Sequence, residues 1–77
     1  MLNLKYIVYW NGISEVMVMF DPSLRHVDVT VGLRAAGQVR GAGLVDLETR
    51  RCFGDSYTLM VASRPEDTEL LKCYFGD

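Results

Sequence analysis

Asn11-Gly12 stands between two apolar runs, and that junction commits the start of the chain to a β-hairpin. Leu2, Leu4, Tyr6, Val8 and Trp10 alternate with Asn3, Lys5, Ile7 and Tyr9. This period of two, rich in aromatic and β-branched types, reads as a strand over residues 2–10. Asn-Gly tolerates the positive φ that a two-residue hairpin turn needs, so Ser14 to Phe20 returns as the second strand. Its centre, Met17-Val18-Met19, is apolar on both faces. A sheet built on it needs a helical cover on one side and a partner or a second layer on the other. Tyr9, Trp10, Met17 and Met19, with Tyr6, have the composition of an adaptable contact surface for a second subunit or an apolar ligand. Ordinary core packing is the competing reading.

Asp21-Pro22-Ser23 ends the hairpin, and the next segment reads two ways. His26 to Leu33 alternates as a strand would. Ser23 as N-cap, Gly37 as C′ and the face Leu24, Val27, Val31, Ala35 suit a helix instead. Residues 38–47 form a strand with a bulge or a close backbone approach at Gly41 and Gly43. Residues 48–50 turn, and residues 51–59 form a last strand interrupted at Gly54-Asp55. Ser63-Arg64-Pro65-Glu66 then has the form of a capping box, with Leu70, Leu71, Tyr74 and Phe75 as the buried stripe and Gly76 as C′.

A chain of 77 residues holds one core, and a small one. Hydrophobic residues make up 49% of it, which points to a face shared with a second copy and hence a homodimer. Ten acidic against eight basic residues argue against a nucleic-acid partner bound by bulk charge. Six of the bases are arginines between Arg25 and Arg64, so a local anion site is compatible with this balance. Cys52 and Cys73 read as reduced thiols of a cytoplasmic protein. The longest apolar run, Val16 to Phe20, is far too short to span a membrane. One histidine and two distant cysteines leave no metal-ligand set, and no cofactor motif is present.

Two resemblances bear on function. R-R-C-F-G-D-S-Y-T-L and S-R-P-E-D-T-E-L-L, with F-D-P-S-L-R-H-V-D-V and G-A-G-L-V before them, are similar to a family of small bacterial proteins without assigned function. These are often carried on integron cassettes and other mobile elements. Its members are more helix-like after the histidine segment, so the resemblance implies a helix over residues 24–36. The order L-K-Y-I-V, R-H-V-D-V, G-A-G-L-V, F-G-D-S-Y also resembles, more distantly, the Janus family of phosphohistidine phosphatases. That likeness implies a phosphate site at Lys5, His26 and Ser56, with His26 catalytic. Ala42 and Leu44 depart from that family's glycine triplet and its following basic residue, and the chain is much shorter.

On residue chemistry, His26 can serve as a lone general base or nucleophile oriented by Asp28; the alternative is a surface histidine in a first helical turn. Lys5 with the amides of Gly54, Asp55 and Ser56 can form an anion nest, or these residues simply belong to an edge strand and a kink. Cys52, beside Arg50 and Arg51, is either a reactive thiol or a core residue. The expectation is therefore an α+β domain, ββαββα, with a four-stranded sheet and both helices on one face. Its expected function is that of a self-associating accessory or interaction protein without catalytic activity. The alternative is a phosphate-group-binding protein or phosphohistidine-phosphatase-like hydrolase using His26.

Overall fold

A computed structural model describes residues 3–76. The elements are β1 (Asn3–Trp10), β2 (Glu15–Phe20), α1 (His26–Gly32), β3 (Val39–Asp46), β4 (Arg51–Phe53), β5 (Asp55–Ser56), β6 (Val61–Ala62) and α2 (Pro65–Tyr74). The main sheet is antiparallel in the order β2-β1-β3-β4, and β5 and β6 form a separate ribbon. This is the α+β class with the four-stranded sheet that the sequence implies. The strand expected over residues 51–59 is divided: Gly54, at φ 76, turns the chain out of β4 into β5, and residues 57–60 turn back into β6.

Alternation along β1 decides the layers. Tyr6 and Val8 meet Met17, Val45 and Leu71 of α2 on one face. Ile7 meets Phe20 and Ala42 on the other, under Val29 of α1 and Leu59 and Val61 of the ribbon segment. The helices therefore lie on opposite faces, not on one. The reason is the doubly apolar β2: a seven-residue helix and a short ribbon together cover one face, and α2 is needed for the second. Met17, expected at a subunit interface or in the core, is a core residue beneath α2, and Met19 is partly buried against the same cluster.

The segment that read both ways is helical, but over 26–32 rather than 24–36. Ser23 does not cap it, because its amide bonds the Asp21 carboxylate in a local turn. The Thr30 hydroxyl donates to the His26 carbonyl. The amides of Leu33, Arg34 and Ala35 close the helix on the carbonyls of Val29, Val31 and Thr30. In β3, Val8 pairs with Gly41 while Tyr9 pairs with Val39. Arg40 is thus the bulged residue, and its guanidinium lies 4.9 Å from the centroid of the Trp10 ring.

α2 begins one residue later than its sequence suggests. The Ser63 amide is committed to the Gly54 carbonyl, so Arg64 is the N-cap and Asp67, not Glu66, reaches back to its amide. Asp67 is fully buried. It also accepts the Tyr6 hydroxyl at 2.6 Å and the Arg64 guanidinium at 2.7 Å, while Arg64 reaches on to Glu15 of β2. Gly41 makes room for this carboxylate, since a Cβ there would collide with Asp67. Burial, then the hydrogen bond to Asp67, hold the Tyr6 phenol well above its usual range.

Tyr74 and Phe75, expected in the buried stripe, are each about half exposed. Phe75 lies under the Arg50 guanidinium, and the Tyr74 hydroxyl accepts the outward amide of Met17 on the open edge of β2. An uncovered strand edge is a template for pairing with another chain. Tyr74→Phe is therefore expected to cost about 1 kcal/mol and to raise self-association, read as the concentration dependence of sedimentation; an unchanged profile would remove this guarding role. Among the described residues no helix is long and apolar enough to cross a membrane.

Candidate functional site

Three elements far apart in sequence converge beside α1. Lys5 of β1, Arg25 and His26 at the start of α1, and Asp55 and Ser56 of β5 line one cleft of about 320 Å³, completed by Leu44, Tyr57 and Thr58. Lys5 is brought there by strand alternation, which puts it on the Ile7 face, and by β1 pairing it with Leu44. Ser56 arrives through the ribbon, where it pairs with Val61.

His26 is buried, at 7% exposure, and its ring is fixed. Phe20 meets it edge to face at 5.5 Å, and Nε2 lies 2.9 Å from the carbonyl oxygen of Gly43. A carbonyl can only accept, so Nε2 carries the proton. In the neutral ring Nδ1 then holds the lone pair, and among the described residues no protein group bonds it. Asp28 does not orient the histidine, as the sequence reading had it. Its carboxylate forms a paired contact with Arg25, 2.9 Å to Nε and 3.1 Å to Nη2, which holds the Asp28 carboxyl below its usual range.

The cations differ in availability. Lys5 Nζ donates to the Leu24 carbonyl at 2.8 Å, which positions the ammonium without neutralising it. Arg25 is already matched by Asp28. Ser56 is buried, and its hydroxyl accepts the Leu59 amide at 3.3 Å and lies 3.4 Å from the Thr58 hydroxyl. Asp55 contributes an opposing negative charge to the same lining. The proposed amide nest is not formed as a turn: Asp55 and Ser56 are paired strand residues, and Gly54 is not among the lining residues. The arrangement can thus hold one small anion between an ammonium with no paired carboxylate and two hydroxyls, beside the imidazole.

Sequence reasoning missed Arg25, Thr58 and the Gly43 carbonyl. Arg25 adjoins His26 and was findable, whereas a backbone oxygen leaves no residue signature. Cys52 packs against the Tyr6–Leu71 core, and burial, then the negative Asp67, push its thiol up to about 11, which disfavours the thiolate. Tyr9 and Trp10 line a different cavity at the other end of β1. Compared with protein-family models, curated proteins and solved structures, the chain matches none. The resemblances thus remain likenesses of short motifs.

Proposed function

We propose that the chain binds a phosphoryl group in the Lys5–His26–Ser56 cleft and that His26 is its reactive residue. The observation that carries this is the convergence of residues 5, 26 and 56 on one lining, with the imidazole locked by Gly43 so that Nδ1 is the unengaged nitrogen. Lys5 supplies the charge, and Ser56 and Thr58 supply hydroxyls. With a phosphoramidate, the Nδ1 lone pair attacks phosphorus while the P–N bond breaks, its electrons and a proton from water going to the departing nitrogen. The hydroxide left by that water then attacks phosphorus and the bond to Nδ1 breaks, its electrons returning to the ring as phosphate is released.

Only Lys5 is uncompensated and Asp55 opposes it, so free phosphate should bind weakly, in the millimolar range. Titration followed by amide-resolved NMR is expected to give saturable shifts at Lys5, His26, Ser56 and Thr58. Lys5→Ala should weaken the affinity at least about tenfold, the loss of one charge-assisted contact. An unshifted spectrum at millimolar phosphate, or an unchanged affinity in the variant, would remove the proposal.

A second reading, an interaction protein, draws on Tyr57 and Met60, which are 92% and 90% exposed and border the same ribbon. Two such side chains together form an apolar ledge suited to a macromolecular contact, including a second copy of the chain. Its support would be a dimer that Tyr57→Ser disperses.

A further inference from the structure

We infer, resting on the phosphoryl reading of the cleft, that the ligand it takes is zwitterionic: a phosphate monoester of a cationic alcohol, with phosphocholine as the fitting class. The observation behind this is a pair of opposite charges left unmatched on one lining. Lys5 and Asp55 both line the cleft, yet no ion pair joins them. Among the described residues neither has a partner of opposite charge. Lys5 Nζ donates to the Leu24 carbonyl, and Arg25, the other side-chain cation there, is matched by Asp28. Asp55 is exposed and its carboxylate is uncompensated. A lining that carries both signs complements a ligand that carries both signs, and it disfavours a bare anion.

The surroundings of Asp55 indicate what kind of cation fits. β5 pairs with β6 alone, and the consecutive residues 55–58 all line the cleft. The cleft therefore runs along the open edge of β5, where side chains from both faces of the ribbon reach it. Through Asp55, Ser56 and Tyr57 it adjoins a second cavity, of about 380 Å³, completed by Met60, Val61 and Ala62. That lining holds a carboxylate, an aromatic ring and a thioether, and no side-chain cation. The Met60 amide donates to the Tyr57 carbonyl at 3.3 Å, closing the turn that carries both exposed side chains. A carboxylate beside an aromatic ring attracts a quaternary ammonium, whose methyl groups are met by apolar surface.

The phosphate end belongs with Lys5, His26 and Thr58, and the ammonium end with Asp55, Tyr57 and Met60. Because His26 has to meet a terminal phosphoryl group, the free monoester is the form that fits, not the diester of a lipid headgroup.

Amide-resolved NMR titration of the wild-type chain with inorganic phosphate, glycerol phosphate and phosphocholine separates this inference from the reading beneath it. Phosphocholine is expected to bind at least about tenfold more tightly than glycerol phosphate, which has the monoester but lacks the cation. Its shifts should extend from Lys5 and His26 to Tyr57 and Met60. Asp55→Asn should abolish the preference and raise the affinity for inorganic phosphate, since the opposing charge is gone. No shift with any of the three probes would remove the phosphoryl reading itself. Phosphate binding with equal affinities for phosphocholine and glycerol phosphate would overturn the zwitterion alone, as would a preference that survives Asp55→Asn. Tighter binding to phosphatidylcholine vesicles than to free phosphocholine would also overturn it.

Discussion

Asp67→Ala is expected to leave much of the chain unfolded at 25 °C. A domain of this length has roughly 4–12 kcal/mol of stability in total. Removing the acceptor of a buried charged network costs about 3–5 kcal/mol, because the remaining partners lose their compensation. Here those partners are the Tyr6 hydroxyl and the Arg64 side chain and amide, and the substitution also opens a void over Gly41. Urea unfolding followed by circular dichroism gives the measure, with Glu66→Ala, an exposed change in the same helical turn, expected within about 0.5 kcal/mol of wild type. A loss below about 1 kcal/mol for Asp67→Ala would mean that the network does not hold α2 to the sheet.

Gly43→Ala should damage both stability and the candidate site. A Cβ on Gly43 would run into the Phe53 carbonyl, with the Gly54 carbonyl carbon 3.2 Å away. These are backbone atoms that yield only if β4 moves. Overpacking of this kind costs about 1–3 kcal/mol. The clash also strains the Gly43 backbone itself, whose carbonyl orients His26, so phosphate affinity is expected to fall at least about tenfold. Gly32→Ala is the informative control, since nothing lies near its Cβ and helix propensity predicts a gain of about 1 kcal/mol. A Gly43→Ala protein with wild-type stability and phosphate binding would show that neither the close approach nor the carbonyl matters.

The elements that could be read from the sequence were those whose signal is local. The hairpin at Asn11-Gly12 follows from alternation and turn chemistry, and Gly76, at φ 75, ends α2 as a C′ glycine does. Where the alternation of Val27, Val29 and Val31 favoured a strand, tertiary contact decided otherwise: Val29 packs on the Ile7 face while Val31 stays 64% exposed. The shift of the α2 cap from Ser63 and Glu66 to Arg64 and Asp67 has the same cause, since Asp67 answers to Tyr6, 61 residues away. Helix placement failed because periodicity says that two faces are apolar but not which cover each receives. Lys5, His26 and Ser56 were named by resemblance, and they line one cleft. The groups that give them chemical meaning, the Gly43 carbonyl and the Asp28–Arg25 pairing, depend on approach distances that no residue pattern encodes.

The Gly43 carbonyl fixes the His26 ring through Nε2, and the proposed phosphoryl site requires Nδ1 to meet the anion. His26 is the one histidine of the chain, so a long-range ¹⁵N–¹H correlation spectrum of the imidazole, recorded with and without phosphate, reports on it without assignment ambiguity. The expected result is a ring whose Nε2 carries a proton, with the Nδ1 resonance moving as phosphate saturates the cleft. A ring protonated at Nδ1 alone, or an Nδ1 resonance indifferent to phosphate, would rule out His26 as the group that meets the anion.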